Sequence, residues 1–221
     1  GLATCDRTEF LTSPITPQIT VKARDKVAAR VCEVAKEIEA ELIVIGLPLN
    51  MDGTEGPRAE LYRAFDMTYD YDIWPWFEGC LTGRNTLQQY IDMLNYQELT
   101  YPSGFIKMRC GENHDTPRLA HWVQDERRLR HWLAFLYFCR GSMLLYGGTE
   151  FAPRRQVGLF DADDNFGDKR SDLSDFLRRC KAMKLELPLE GAVWYEVSGG
   201  TVIGHYKSPA GEVTGVFDLS G

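Results

Sequence analysis

The chain has 221 residues, enough for one sizeable hydrophobic core or two modest ones, and 44% of its residues are hydrophobic. Its formal net charge is −7, whereas sequence-independent nucleic-acid binding needs a positively charged surface. We therefore do not expect nucleic acid as a partner. No run of about 18 apolar residues occurs and the six cysteines form no CxxC pair, which predicts a cytoplasmic protein with free thiols and no membrane partner.

The first 47 residues alternate strands with one helix. Strands are predicted at residues 2–5, 15–21 and 42–47, and a helix at residues 23–40. The helix is predicted because apolar residues recur at intervals of four, three and four positions and form a stripe on one face: Val27, Val31, Val34 and Ile38. The last strand is an unbroken apolar run that Pro48 ends, which is typical of a strand buried on both faces. The order strand, helix, strand predicts a parallel crossover.

A glycine-rich loop, GLPLNMDGTEGPRAE at residues 46–60, follows that strand. It resembles the signature loop of Holliday-junction-resolvase-like nucleases, which have the RNase H fold, and the resemblance covers about residues 1–60. In that family carboxylates hold a divalent metal beside this loop, and Asp52 and Glu55 are the candidates here. The same resemblance places the family's first strand, with its catalytic aspartate, before Gly1. Because a two-metal site needs that bridging carboxylate, we expect no nuclease activity and favour a solvated loop.

Beyond the loop, strands and helices continue to alternate. Helices are predicted at residues 57–65, 84–95, 124–140 and 172–184, and strands at residues 67–72, 105–110 and 142–147. Three further strands, at residues 193–197, 201–206 and 213–217, are separated by glycine and proline turns that indicate an antiparallel meander. The predicted fold class is α/β: a mostly parallel sheet of about five strands with flanking helices, open or a partial barrel, plus a small C-terminal antiparallel β segment.

The stretch FIKMRCGENHDTPR, residues 105–118, carries the strongest chemical signal. It reads as a short strand that runs into a polar turn, where Glu112 to Asp115 supply two carboxylates, an amide and an imidazole. Since α/β sheets present functional side chains at the carboxyl ends of their strands, the pattern predicts a site. The alternative is a polar loop that leads into the start of a helix.

The tripeptide Asn113-His114-Asp115, after a strand and before Thr-Pro-Arg, resembles the seventh-strand signature of the α-amylase family of glycoside hydrolases. Residues 67–74 resemble the sixth barrel strand of that family, and residues 141–151 its eighth strand and loop. The resemblance covers about residues 61–221. The implied domains are an RNase H-like fragment at 1–60, a partial (β/α) barrel at 61–188 and a truncated β-sandwich segment at 189–221.

By this resemblance Asp115 is the catalytic candidate, since it corresponds to the family carboxylate that stabilises the transition state. His114 corresponds to a residue that hydrogen-bonds the sugar beside it. Asn113, Arg118 and Glu150 are predicted to bind substrate as well. The implied partner is an α-glucan or maltooligosaccharide, and no metal or other cofactor is predicted.

Retaining glycoside hydrolysis needs two carboxyl groups about 5 Å apart, one as nucleophile and one as acid/base. The α-amylase family carries them on its fourth and fifth strands, and no stretch of this sequence resembles either strand. We therefore expect a residual sugar-facing site with little or no catalysis. The alternative is an active hydrolase, acting on nucleic acid through the N-terminal segment or on α-glucans through substitute carboxylates. The candidate substitutes lie near predicted strand ends: Asp70, Asp72, Glu112 and Glu150.

An aromatic cluster of Trp74, Trp76 and Phe77 beside Tyr71 has two interpretations, stacking on sugar rings or packing under a loop.

The two family resemblances meet near Glu60, and a constructed or recombined chimera is the explanation we favour, ahead of an artefact of gene assembly. Five strands are too few to close a barrel, so exposed sheet edges predict a homo-oligomer.

Overall fold

The computed structural model describes residues 3–5, 12–15, 24–40, 44–45, 65–101, 104–158 and 168–220. The chain forms two compact units, Gly1–Ile43 and Val44–Gly221. Asp52, Glu55 and nearly all of the helix predicted at residues 57–65 lie outside the described residues.

The first unit contains a short hairpin and one helix. Strand β1, Ala3–Cys5, pairs antiparallel with β2, Thr12–Pro14, and helix α1 is Arg24–Glu37. The predicted helix is thus confirmed, whereas the second strand precedes the predicted span, of which residues 16–21 lie outside the description. Val34 is buried, as its place in the apolar stripe predicts, but Ile38 is 43% exposed because the helix ends before it.

The second unit is built on a parallel sheet, which confirms the α/β class. Its strands are β3 (Val44–Ile45), β4 (Met67–Tyr69), β5 (Lys107–Arg109) and β6 (Ser142–Met143), and they lie in that order. Within the described residues the parallel sheet has four strands instead of about five, because β1 and β2 pair only with each other. Strands β4, β5 and β6 are shorter than predicted. β4, for example, ends where Asp70 begins a turn.

Between β4 and the C-terminal strands, the described residues form five helices and one 3-10 turn. They are α2 (Trp74–Leu81), α3 (Leu87–Thr100), α4 (Leu119–Trp122), α5 (Glu126–Phe138), α6 (Ser174–Glu186) and the 3-10 helix Thr149–Phe151. Side chains cap two of them: Thr86 and Gln89 form a capping box on α3, and the Asp125 carboxylate accepts the N–H of Arg128 on α5. None of the helices in the described part of the chain is long and apolar enough to cross a membrane.

The C-terminal meander is confirmed as a three-stranded antiparallel sheet. Its strands are β7 (Ala192–Ser198), β8 (Thr201–Ser208) and β9 (Gly211–Asp218), in that order. Phe138 of α5 packs against Tyr206 and Phe217 at 5.2 Å between ring centroids. The amide of Asn95 on α3 both donates to the carbonyl of Tyr195 and accepts its N–H, as a neighbouring strand would. These strands therefore share one hydrophobic core with the helices.

Candidate functional site

The buried side chain of Asn113 stabilises the turn after β5 through hydrogen bonds. The Asn113 Oδ1 atom accepts the N–H of Asp115 at 2.8 Å, and its Nδ2 donates to the hydroxyl of Tyr71 at 3.0 Å. The N–H of Asn113 donates to the hydroxyl of Thr116 at 2.9 Å. Only 3% of the Asn113 surface is exposed, so its side chain stabilises the backbone of the turn and offers little surface to solvent.

His114 and Asp115 form the exposed part of this turn. Their side chains are 57% and 56% exposed, and 3.3 Å separates His114 Nε2 from Asp115 Oδ2. His114 and Asp115 are two of the five residues that the sequence predicts for the site. A carboxylate accepts hydrogen bonds, and an imidazole donates through one nitrogen and accepts through the other. The pair can therefore bind neighbouring hydroxyl groups of one ligand.

Beneath the turn, Glu112 and Arg118 form a buried ion pair. Arg118 Nη1 donates to Glu112 Oε1 at 2.9 Å, and Arg118 Nη2 donates to the carbonyl of Gly147 at 2.9 Å. The hydroxyl of Thr149 donates to Glu112 at 2.6 Å, and the Arg118 guanidinium lies 4.3 Å from the ring centroid of Tyr146. Arg118 is fully buried, so its guanidinium contacts protein groups, while the substrate contact foreseen from the sequence stays a prediction.

Glu150 lies in the 3-10 helix that follows β6, next to Thr149, and its side chain is half-buried. The backbone carbonyl of Glu150 accepts the N–H of Leu173 at 2.7 Å. Through Thr149 and Glu112, this segment is linked to the turn that carries His114 and Asp115. The role of Glu150 in substrate binding also stays a prediction.

Asp70 and Asp72, two of the candidate substitute acids, bind cations inside the protein. Asp70 pairs with Arg109, and Asp72 Oδ1 accepts from Lys107 Nζ at 2.8 Å. The amide of Gln97 on α3 donates to both carboxylates, at 2.9 and 2.6 Å. Burial by itself raises the pKa of Asp72, but the hydrogen bonds and charge of Lys107 outweigh it, so that the pKa lies below its ordinary value.

This network was not foreseen from the sequence. Lys107 and Arg109 are alternate residues of a buried strand, and that spacing is the signal that could have revealed two cations on one face of the sheet. Their partners lie 35 and 39 residues away along the chain, which no local pattern reveals. Since the two cations neutralise Asp70 and Asp72, these carboxylates are poorly suited to act as a nucleophile or an acid.

Two tyrosines lie beside the turn. The rings of Tyr69 and Tyr71 are stacked, with 5.2 Å between centroids and 6° between planes, and both side chains are half-buried. Burial first, and then the nearby Cys110 and Asp115, raise the pKa of each hydroxyl. The predicted aromatic cluster lies elsewhere, in α2, where Phe77 packs against Tyr90 and Trp132 in the core. For Phe77, packing is thus the interpretation that fits.

The described residues contain no group of three or more His, Cys, Asp or Glu side chains that could hold a metal ion. Five cysteines in the same part of the chain are free thiols: Cys32, Cys80, Cys110, Cys139 and Cys180.

Comparison with known proteins finds two kinds of relative. The model of the RuvX family, described as Holliday junction resolvase, matches residues 1–70. A Methylocella silvestris protein that carries the name of a pre-16S rRNA nuclease is 42% identical over 65 residues, which is 29% of this chain and 40% of that protein. A protein of the same name from Nitrobacter winogradskyi is 58% identical over 60 residues, 25% of this chain and 37% of its own.

The solved structures that match include α-amylases. An α-amylase from Lactobacillus plantarum superposes with a TM-score of 0.80 and 28% identity, over 90% of this chain and 50% of its own. The maltogenic α-amylase AmyB from Thermotoga neapolitana gives a TM-score of 0.69 and 22% identity, over 91% of this chain and 47% of its own. The chain is thus similar to nuclease-named proteins in its N-terminal part and to α-amylase structures over most of its length. It spans about half the length of these amylases and less than half that of the two nuclease relatives.

Proposed function

We propose that this chain binds an α-glucan, such as a maltooligosaccharide, at the exposed His114–Asp115 pair and hydrolyses it little or not at all. The observation that carries this proposal is the position of the pair. Two exposed polar side chains, 3.3 Å apart, stand at the carboxyl end of a parallel strand on a turn that Asn113 fixes. Preorganised groups of this kind bind a ligand without first losing conformational entropy.

The likeness to the α-amylase from Lactobacillus plantarum supports a sugar as the ligand. A structure of a cyclic α-maltosyl-(1→6)-maltose hydrolase from Arthrobacter globiformis, titled as a complex with maltose, shares the fold at a TM-score of 0.65 and 16% identity, over 86% of this chain and 44% of its own. Carboxylate and imidazole groups are suited to the vicinal hydroxyls of a glucose unit, because each hydroxyl both donates and accepts.

Weak or absent hydrolysis is proposed because most nearby carboxylates already have cationic partners. Arg118 binds Glu112, Arg109 binds Asp70 and Lys107 binds Asp72. A buried carboxylate that binds a buried cation is poorly placed to give a proton to a ligand. Among the described residues, this leaves Glu150 as the candidate substitute acid with no cation within salt-bridge distance.

Calorimetric titration of the full chain with maltohexaose tests the binding. We expect saturable binding that Asp115→Ala and His114→Ala weaken at least about tenfold, which corresponds to roughly 1.4 kcal/mol. The control is Asp175→Ala, since the Asp175 side chain is 91% exposed on α6 and should leave the affinity unchanged. Absence of binding to the wild-type chain would overturn the proposal.

Product analysis by NMR tests the absence of catalysis. We expect hydrolysis of maltohexaose near the uncatalysed background, because loss of a nucleophile and an acid removes most of a typical rate enhancement. Products with a retained anomeric configuration that disappear in Asp115→Asn would instead establish an active hydrolase. Glu150→Gln, measured in parallel, would then show whether Glu150 serves as the second carboxyl group.

The match of residues 1–70 to the RuvX model favours a second candidate function, metal-dependent cleavage of nucleic acid. The test is incubation of the chain with structured RNA and branched DNA in the presence of Mg²⁺ or Mn²⁺. Cleavage that is lost in both Asp52→Ala and Glu55→Ala would support this function. We expect no cleavage, because the chain carries a net charge of −7.

A further inference from the structure

The Tyr69–Tyr71 pair is an aromatic surface that the proposed function does not yet use. Its two rings are parallel, one on the last residue of β4 and the other two residues further on, in the turn that follows. Neither side chain belongs to the buried core, and both remain half-exposed. Aromatic residues that only support a fold are usually buried more completely, as Tyr90 and Phe77 are here at 2% exposure.

The pair is connected to Asp115 by one side chain. Asn113 Nδ2 donates to the Tyr71 hydroxyl, and Asn113 Oδ1 accepts the N–H of Asp115. A single buried amide therefore links the Tyr71 hydroxyl to the backbone of Asp115. Because Asn113 is only 3% exposed, neither contact can exchange readily with water.

The hydroxyls of the pair also retain hydrogen-bonding capacity. The Tyr71 oxygen accepts from Asn113, which leaves its own O–H proton for another acceptor. The Tyr69 hydroxyl makes no hydrogen bond among the residues that the structure describes. Two half-exposed rings with polar tips, next to a carboxylate and an imidazole, combine a flat apolar surface with a few fixed polar groups, as small-molecule sites generally do.

We propose that the Tyr69–Tyr71 pair is a second contact element of the site, on which one glucose ring of an α-glucan lies with its C–H face while its hydroxyls reach Tyr71 and Asp115. This inference rests on the proposed function. A pyranose ring matches the pair because one of its faces presents apolar C–H groups and its rim presents hydroxyls. In this arrangement Asn113 is a positioning residue, because it hydrogen-bonds both Tyr71 and the backbone of Asp115.

The test is saturation-transfer NMR of the full chain with maltohexaose, together with calorimetric affinities. Ring C–H protons of the sugar are expected to receive saturation from the protein. Tyr69→Ala and Tyr71→Ala should each weaken binding about tenfold, whereas Tyr69→Phe, which keeps the ring, should stay within about twofold. Tyr96→Ala is the matched control, because Tyr96 is a 57% exposed tyrosine on α3.

The Phe variants keep the test decisive if an Ala variant unfolds. Tyr71→Phe retains the ring but removes the acceptor of Asn113, so we expect about a threefold loss of affinity with sugar C–H saturation preserved. If the wild-type chain binds but both Ala variants bind as tightly as Tyr96→Ala, the tyrosine pair is not a contact element and only this inference fails. If the wild-type chain does not bind maltohexaose, the proposed function fails and this inference with it.

Discussion

Arg118 and Glu112 form an ion pair in which the side chains are 0% and 4% exposed and the Nη1 to Oε1 distance is 2.9 Å. Arg118 also binds the carbonyl of Gly147, and Glu112 also binds Thr149. The pair therefore joins the turn after β5 to the loop after β6. These two loops carry all five residues that the sequence assigns to the site.

Removal of one partner of this pair should be strongly destabilising. Arg118→Met leaves the Glu112 carboxylate buried without its cation, and we expect a loss of about 3–5 kcal/mol in the free energy of unfolding. Urea denaturation followed by circular dichroism measures it. The control is Arg178→Met, because the Arg178–Asp175 pair is exposed, and it should have no measurable effect. An equal effect of both substitutions would contradict a buried, dry environment for Arg118.

A second ion pair offers a double-mutant cycle. Lys107 and Asp72 are 2% and 5% exposed and 2.8 Å apart. Lys107→Met should cost about 3–5 kcal/mol because it leaves Asp72 buried and charged. Adding Asp72→Asn to Lys107→Met should recover part of that loss, so the two free-energy changes are not additive. Strict additivity in urea denaturation would mean that the two side chains do not interact.

The elements that the sequence predicts well have strong local patterns. Helix α5 has an acidic N-cap and apolar residues at helical spacing, and the C-terminal meander has glycine turns between alternating strands. Helix α2 was not predicted, because the cluster that contains Trp74 and Trp76 was interpreted either as stacking on sugar rings or as packing under a loop. The available signal was Pro75, which stands within the first turn, where proline is favoured.

The sequence predicts which turn carries the candidate site, but not which of its side chains are exposed. Asn113, His114 and Asp115 are consecutive residues, yet the first is buried and the other two are exposed. Which residue of a turn points inward depends on backbone geometry and on distant partners, here Tyr71 at a separation of 42 residues. Local spacing carries no information on such contacts. For the same reason the sequence did not predict the pairing of Arg109 with Asp70, which are 39 residues apart.

A close backbone approach at Gly141 provides a further prediction. Gly141 has a φ of +111°, and a Cβ atom there would lie 2.1 Å from the carbonyl oxygen of Lys107. Gly83 also has a positive φ, +74°, but a Cβ atom there would have nothing within 4 Å. Gly83→Ala should cost about 1 kcal/mol for the left-handed conformation alone. Gly141→Ala should cost at least about 2 kcal/mol more, because the β5 backbone must shift.

Urea denaturation of the two glycine variants separates conformational strain from steric overlap. Near-equal losses of stability would show that the Lys107 carbonyl can move aside and that the sheet at this point is not rigid.

The last prediction concerns stability at alkaline pH. Burial raises the pKa of the Cys139 thiol from 9.0 to about 11 and is the main reason that the pKa of Cys110 rises to about 12. Between pH 9 and these values the unfolded chain has lost the thiol protons that the native state keeps. The unfolded state thus binds fewer protons, and the free energy of unfolding falls as pH rises. Lys184 acts in the opposite direction, because burial lowers its pKa from 10.5 to about 8. Between pH 8 and 10.5 the unfolded state therefore binds more protons at this side chain, and this term raises the free energy of unfolding as pH rises.

Urea denaturation at pH 8, 9, 10 and 11 measures the balance. Four thiols have raised pKa values, Cys80, Cys110, Cys139 and Cys180, and so have buried or half-buried tyrosines such as Tyr137, whose pKa is about 12. The lowered pKa of Lys184 is one opposing contribution against these several, so we expect a net loss of stability above pH 9. Cys139→Ala should reduce the slope by up to about 1.4 kcal/mol per pH unit between pH 9 and 11. Cys32→Ala is the matched control, because Cys32 is exposed and its removal should leave the slope unchanged. A profile of Cys139→Ala parallel to that of the wild-type chain would show that water reaches the Cys139 thiol in the native state.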